Sequence, residues 1–239
     1  MKKNIIITGA SEGIGAEIAK ILNNGNDNIF LIDKRELKEI KESKNIFFYL
    51  CDVSIKEDFK RIISEIIEKY GEIDAIINNA GEMNLANLEE QKDNLIERMI
   101  NSNILGVING TQLVIDSMKR NKKGTIINIA STAGRYAYVN HAVYCGTKHA
   151  VRGFTKTMRQ ELAQYNIRVS IVSPGAVYTD LAKNGETENK YLKPYLEWRD
   201  KDRAYVTSKD IANVTKFVLE QPQDVIIWDV VVTSIRQIR

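Results

Sequence analysis

Short β-branched, apolar runs recur along the chain. Between them lie stretches in which apolar residues return every three or four positions. The runs Asn4–Thr8, Asn28–Asp33, Ile46–Asp52, Ala75–Asn79, Gly124–Ser131, Arg168–Ser173 and Val225–Val232 predict seven strands. Several are apolar at every position, as strands of a parallel sheet covered on both faces must be. Ile14, Ile18, Ile21 and Leu22 form one helical stripe, and Phe59, Ile62, Ile63, Ile66 and Ile67 form another. Ser54-x-x-Glu57 and Thr207-x-x-Asp210 read as capping boxes that open helices running to about Tyr70 and Glu220. Two longer helices are expected near Asp93–Arg120 and Val143–Tyr165. Unbroken strand–helix alternation predicts an α/β fold, doubly wound around a parallel seven-stranded sheet. The segment Leu181–Arg203 departs from this pattern. It is rich in Lys, Glu, Asn and Tyr, lacks a clean period, and is expected to be a substrate lid over residues 181–203.

Composition narrows the class. With 239 residues, 44% of them hydrophobic, and only three prolines, the chain reads as one domain over 1–239 with no linker. The net charge of +3 comes from lysines spread among acids, which argues against a nucleic-acid partner. The first strand opens at Asn4, leaving no room for a signal peptide, and no apolar run reaches membrane-spanning length. Two cysteines, Cys51 and Cys145, show no metal-ligand spacing and fit a reduced, cytoplasmic protein that needs no metal.

The turn Thr8-Gly9-Ala10-Ser11-Glu12-Gly13-Ile14-Gly15 lies between the first strand and the first helical stripe. That placement suits a dinucleotide. Gly9 permits the tight turn, Gly13 lets backbone approach a pyrophosphate, and Gly15 allows close helix–strand packing. The first helical amides then face the phosphate charge. Asp33 closes the second strand about twenty residues on, where a carboxylate can bind both ribose hydroxyls of NAD. The expected domain is therefore of the Rossmann type.

At the other end of the pattern, Tyr144 and Lys148 are four residues apart and share one helix face, and Ser131 ends a strand thirteen residues earlier. Carbonyl reduction needs a proton donor at the oxygen. Bringing a tyrosine pKa from ~10 to ~7 takes roughly 4 kcal/mol, and one ammonium ~4 Å away supplies that order of energy at an effective dielectric of ~20. Lys148 is the natural partner.

Taken in order, the glycine turn, Asn78-Asn79-Ala80-Gly81, Ser131 and Tyr144-Cys145-Gly146-Thr147-Lys148 resemble the short-chain dehydrogenase/reductase family, over essentially the whole chain. The resemblance implies an NAD(P)-dependent oxidoreductase that assembles as a homodimer or homotetramer. It assigns the dinucleotide to Thr8, Gly9, Ser11, Glu12, Gly13, Ile14 and Gly15, with Asp33 at the ribose and Asp52 and Val53 at the adenine. Asn79, Ala80 and Gly81 would lie along the adenosine ribose and central sheet. Pro174, Gly175, Val177 and Thr179 match a PGxVxT pattern whose threonine holds the nicotinamide carboxamide. By the same resemblance Lys148 also binds the nicotinamide ribose, Ser131 holds the substrate oxygen, and Asn103 anchors a proton-relay water. Lys34 and Arg35 are the kind of residue NADP-dependent relatives carry, whereas Glu12 stands where such relatives have a cation. NAD is the preferred cofactor on this balance, with NADP the alternative.

Within the family, Ser131-Thr132-Ala133-Gly134-Arg135-Tyr136 and the tail from Asp224 resemble a 3-hydroxy acid (serine-type) dehydrogenase branch. Ser131, Tyr144 and Arg135 are the expected substrate contacts, Arg135 as a fork of donors for a carboxylate. Cys145, His141 and His149 are expected to be packing or surface residues. The substrate is a small polar secondary alcohol or its ketone. A dinucleotide-sensing protein without turnover is the competing class, and the intact Asn103, Ser131, Tyr144 and Lys148 favour the enzyme.

Overall fold

The computed structural model describes residues 2–237, so the extreme ends of the domain expected over 1–239 lie outside the described residues. Seven parallel strands form one sheet in the order β3-β2-β1-β4-β5-β6-β7. They are β1 (Asn4–Thr8), β2 (Asn28–Asp33), β3 (Ile46–Leu50), β4 (Ala75–Asn78), β5 (Gly124–Ile129), β6 (Ile167–Pro174) and β7 (Asp229–Val232). Alternation along each strand divides the core. Ile5, Ile7, Ile29 and Leu31 pack with Ile18 of α1 (Gly13–Leu22) and with Ile211 and Val218 of α8 (Ser208–Leu219). Ile6, Phe30 and Ile32 point the other way. They pack against Phe59 and Ile62 of α2 (Lys56–Tyr70), Val114 and Met118 of α4 (Gly106–Asn121) and Leu162 of α5 (Ala142–Ala163). Burial on both faces is why these strands carry no polar alternation.

The chain leaves β1 toward β2 on one side and later returns to β4 on the other. The loops after β1 and β4 therefore diverge at the C-terminal edge and open a crevice there. The glycine turn and Asn79–Gly81 border it.

Four expectations need correction. Residues 225–228 do not join β7. The Val225 carbonyl accepts from Arg168 Nη1 (3.2 Å), and Trp228 O accepts from Arg159 Nη2 (2.6 Å) as well as from the Ile171 amide. The helix expected over Asp93–Arg120 is α3 (Asp93–Ile100) and α4 joined by one wider π turn, Asn101–Leu105. Within that turn the Asn103 amide is tied to the backbone of Glu82 and to Thr147. Ser54 does not cap α2. Asp52 Oδ1 instead accepts from both the amide (2.9 Å) and the hydroxyl (2.7 Å) of Ser54, while the box at Thr207 and Asp210 forms as expected. Residues Leu181–Arg203 contain two helices, α6 (Leu181–Asn184) and α7 (Asn189–Asp200), the second with Pro194 inside it. Their period is obscured because Leu181, Tyr191, Leu192 and Tyr195 pack against Met83, Leu85 and Tyr144 at the crevice rather than against the sheet.

Candidate active site

A cavity of about 1020 Å³ runs along the C-terminal edge from the glycine turn to Tyr144. At its first end the backbone is forced into place. Gly9 has φ of 64°, and a Cβ there would lie 2.6 Å from Ala80 Cα; a Cβ on Gly15 would lie 2.2 Å from Gly9 O. Only glycine fits either position. The turn is also stapled to the β4 loop. Asn79 Nδ2 donates to Thr8 O (3.0 Å) and Gly9 O (2.9 Å), and Thr8 Oγ1 accepts the amides of Asn79 and Ala80. Thr8, Ser11 and Gly15 therefore shape the site from behind, whereas Gly9, Glu12, Gly13 and Ile14 line it.

The start of α1 is suited to an anion. Glu12, its N-cap, makes no capping bond, and the Gly13 amide donates to the carboxylate of Glu39 (2.9 Å). The amide at the start of this helix thus already takes an anionic oxygen, which is the kind of group a phosphate would offer it.

Asp33 is buried at the end of β2. Its Oδ2 accepts the Ser11 amide (2.9 Å) and its Oδ1 the Arg35 amide (3.0 Å), so it is held rigidly at the cavity wall. The basic residues beside it are not free. Arg35 Nη1 and Lys38 Nζ both grip Glu12, at 2.9 Å and 2.8 Å, and Lys34 pairs with Glu82. Glu12 also accepts from Asn184 of α6. Burial is the largest single influence on its pKa and raises it, but its two cationic partners together hold it below the usual carboxylate range. Asp52, Val53, Asn79, Ala80 and Gly81 also line the cavity, as do Pro174, Gly175, Val177 and Thr179.

At the far end Ser131, Tyr144 and Lys148 come together on the wall, all buried. The Ser131 hydroxyl accepts the Ala133 amide (3.1 Å) and donates weakly to Pro174 O (3.4 Å). Lys148 Nζ donates to Ile129 O (3.2 Å) and lies 5.7 Å from the centre of the Tyr144 ring. Burial lowers the Lys148 pKa to about 8 and pushes the Tyr144 phenol well above its ordinary value, a rise that a hydrogen bond to Ser131 only partly offsets. Burial dominates the Tyr144 phenol, and the lowering expected from Lys148 does not appear beside it. Tyr144 stands ready as a proton donor.

Besides Thr8, Ser11 and Gly15, two predicted residues at the catalytic end do not line the cavity. Asn103 is fully buried behind it; its Oδ1 accepts the Glu82 amide (2.7 Å) and its Nδ2 bonds Glu82 O (2.9 Å) and Thr147 Oγ1 (3.0 Å). Arg135 is turned away. It pairs with Asp229 at the start of β7, which also takes Arg152 (3.3 Å) and the Ser173 hydroxyl (3.2 Å). The expected fork for a substrate carboxylate is spent on an internal one.

Sequence reasoning missed other wall residues. Gln237 Oε1 accepts the Ala176 amide (3.0 Å), and Arg199 Nη1 donates to Thr179 O (3.1 Å). His141, expected to be surface or packing, lines the cavity among Tyr138, Tyr144 and Tyr195. Their local sequences carry no motif, since each reaches the cavity only through tertiary placement.

Comparison with known proteins agrees with this geometry. A family model described as short chain dehydrogenase matches residues 3–190. A diacetyl reductase [(S)-acetoin forming] of Staphylococcus epidermidis is 32% identical over 251 aligned positions, covering 98% of each chain. The solved alcohol dehydrogenase of the archaeon Thermococcus sibiricus, complexed with 5-hydroxy-NADP, superposes with a TM-score of 0.84 at 26% identity, covering 100% of this chain and 99% of that one. Serine dehydrogenase from Escherichia coli superposes at 0.82 with 24% identity, covering 99% and 100%. At that identity the likeness is one of fold.

Proposed function

From its membership of the short-chain dehydrogenase family, to which this chain belongs, we infer the chemistry of the cavity. The protein is an NAD(P)-dependent oxidoreductase acting on small polar substrates. The observation that carries the residue assignment is the convergence of Ser131, Tyr144 and Lys148 at one end of the crevice whose other end is the glycine turn and Asp33.

The nicotinamide cofactor supplies or accepts the hydride when bound. In the reducing direction Tyr144 gives its proton to the substrate oxygen, which the raised phenol pKa allows it to retain until then. Ser131 turns its hydroxyl from the long bond with Pro174 O to that same oxygen. Lys148 spends one N–H on Ile129 O and keeps others for a ribose hydroxyl. Asn103 acts as a positioning residue, fastening the Glu82 loop to α5 beneath the tyrosine–lysine pair. The oxidising direction needs the ionised phenol, which burial disfavours, so the proposed role of Tyr144 is that of proton donor in reduction.

NAD is proposed over NADP. Asp33 is held rigidly at the cavity wall, and a 2′-phosphate beside it would have to take Arg35 and Lys38 away from Glu12. The substrate is proposed to be a small secondary alcohol or ketone bearing a second polar group. A 3-hydroxy acid remains within that class, although Arg135 is paired internally and would not receive its carboxylate. The diacetyl reductase relative favours a small ketone. Residues 181–203 are proposed to act as the lid of a single domain, since α6 and α7 flank the catalytic end and α6 touches the glycine turn through Asn184 and Glu12. A homo-oligomer is proposed as well; Leu95 and Met99 of α3 are buried within the subunit, whereas Ile100 and Leu105 nearby are exposed apolar residues. Steady-state oxidation of NADH and NADPH against small ketones, hydroxyketones and 3-oxo acids tests the reading. Absence of turnover across that panel with both cofactors would refute it.

A further inference from the structure

The substrate end of the cavity holds a polar group that the family chemistry leaves without a task. His141 precedes α5 in a tight turn. Asn140 adopts φ of 63°, its carbonyl accepts the Ala86 amide (3.1 Å), and the His141 amide donates to Tyr138 O (3.2 Å). The Tyr138 hydroxyl in turn bonds Thr132 Oγ1 (3.2 Å), so the turn is fastened to the loop after β5 that carries Ser131. The imidazole is clamped among three aromatic rings, with centres 5.8 Å from Tyr138, 6.4 Å from Tyr144 and 6.0 Å from Tyr195.

Its tautomer follows from one contact. Nδ1 lies 2.7 Å from the Val139 carbonyl, which can only accept, so Nδ1 must carry the proton. Burial lowers the His141 pKa, so the ring is neutral at physiological pH and Nε2 is a bare acceptor. Among the described residues none donates to it. A bare acceptor facing a largely aromatic wall beside the proton donor has a defined complement: a hydroxyl on the substrate, near the reacting carbon.

We propose that His141 is a specificity-determining residue whose Nε2 accepts a hydrogen bond from a hydroxyl adjacent to the substrate carbonyl, so that the preferred substrate is a vicinal hydroxyketone, or the corresponding diol in reverse. The spacing suits this. The Tyr144 and His141 ring centres are 6.4 Å apart, so a carbonyl oxygen bonded to the one and a hydroxyl on the adjacent carbon bonded to the other can belong to one small molecule, each hydrogen bond being about 2.8 Å long. The inference rests on the oxidoreductase reading of the same site.

The test compares 3-hydroxy-2-butanone with 2-butanone as probes. A hydroxyl also activates its neighbouring ketone in solution, so the ratio of kcat/KM for the two probes is compared between wild type and variants, where intrinsic reactivity cancels. His141→Leu is expected to lower that ratio about tenfold, the order of one hydrogen bond in a desolvated site. His141→Gln, which can again present an acceptor, is expected to recover part of it. A merely structural histidine would depress both probes together and leave the ratio unchanged, and that result overturns the proposal. So does a glutamine variant no better than leucine. Wild type that reduces both probes equally well also overturns it while leaving the oxidoreductase function intact, whereas wild type that reduces neither probe nor any other carbonyl removes both.

Discussion

Replacing Glu12 with Gln should shift cofactor preference toward NADPH. In wild type the carboxylate holds Arg35 at 2.9 Å and Lys38 at 2.8 Å, so the two cations nearest the ribose edge are already neutralised. A 2′-phosphate meeting Arg35 from its other side would stand ~6 Å from that carboxylate, a repulsion of about 3 kcal/mol per unit charge at an effective dielectric of ~20. Arg35 and Lys38 are 41% and 56% exposed at their side chains, so solvent and salt screen much of this. We retain about 1.4 kcal/mol, a tenfold effect. Gln keeps the size of the side chain and its contact with Asn184 while removing the charge, releasing both cations for the phosphate. The assay is the ratio of kcat/KM for NADPH to that for NADH, measured with one ketone at low and high salt. We expect the ratio to rise about tenfold at low salt and less at high salt. A ratio within twofold of wild type, or one that falls, would show that Glu12 does not govern the phosphate and that Asp33 alone sets the preference.

Tyr144→Phe keeps the ring packing but loses the proton donor; kcat should drop at least ~100-fold while the dinucleotide Kd stays within a few-fold, and retention of more than a tenth of wild-type kcat would refute the role. Lys148 has its pKa lowered to about 8 by burial, so its ammonium is present below pH 8 and lost above it, while Tyr144 keeps its proton throughout; kcat/KM for reduction should fall as pH rises through about 8, and a flat profile to pH 10 would count against it. Thr207→Ala removes one half of the box with Asp210 at the start of α8, and the urea midpoint should drop by the equivalent of about 1 kcal/mol; an unchanged midpoint would mean the box contributes nothing net.

Residue order alone determined the doubly wound sheet, because a strand buried on both faces must be apolar throughout, and Ile5–Ile7 and Ile29–Ile32 display that directly. It also determined the glycine turn. The steric demand at Gly9 and Gly15 arises from backbone only a few residues away or across one strand pair, so the spacing of glycines is enough to reveal it. Tyr144 and Lys148 were legible for the same local reason, one turn apart on one helix. What depends on charge was not legible. Arg35 beside Asp33 and Arg135 after Ser131 looked available for ligands, yet each is claimed by a carboxylate distant in sequence, Glu12 and Asp229, and a periodic pattern does not encode such pairing. The pKa of Tyr144 likewise reflects burial, the ring being packed among α7 and the loop after β5. His141 shows the limit most plainly. Its sequence neighbours give no motif, and only the folded turn fixes Nδ1 on Val139 O, presents Nε2 to the cavity, and so turns a packing residue into a hydrogen-bond acceptor.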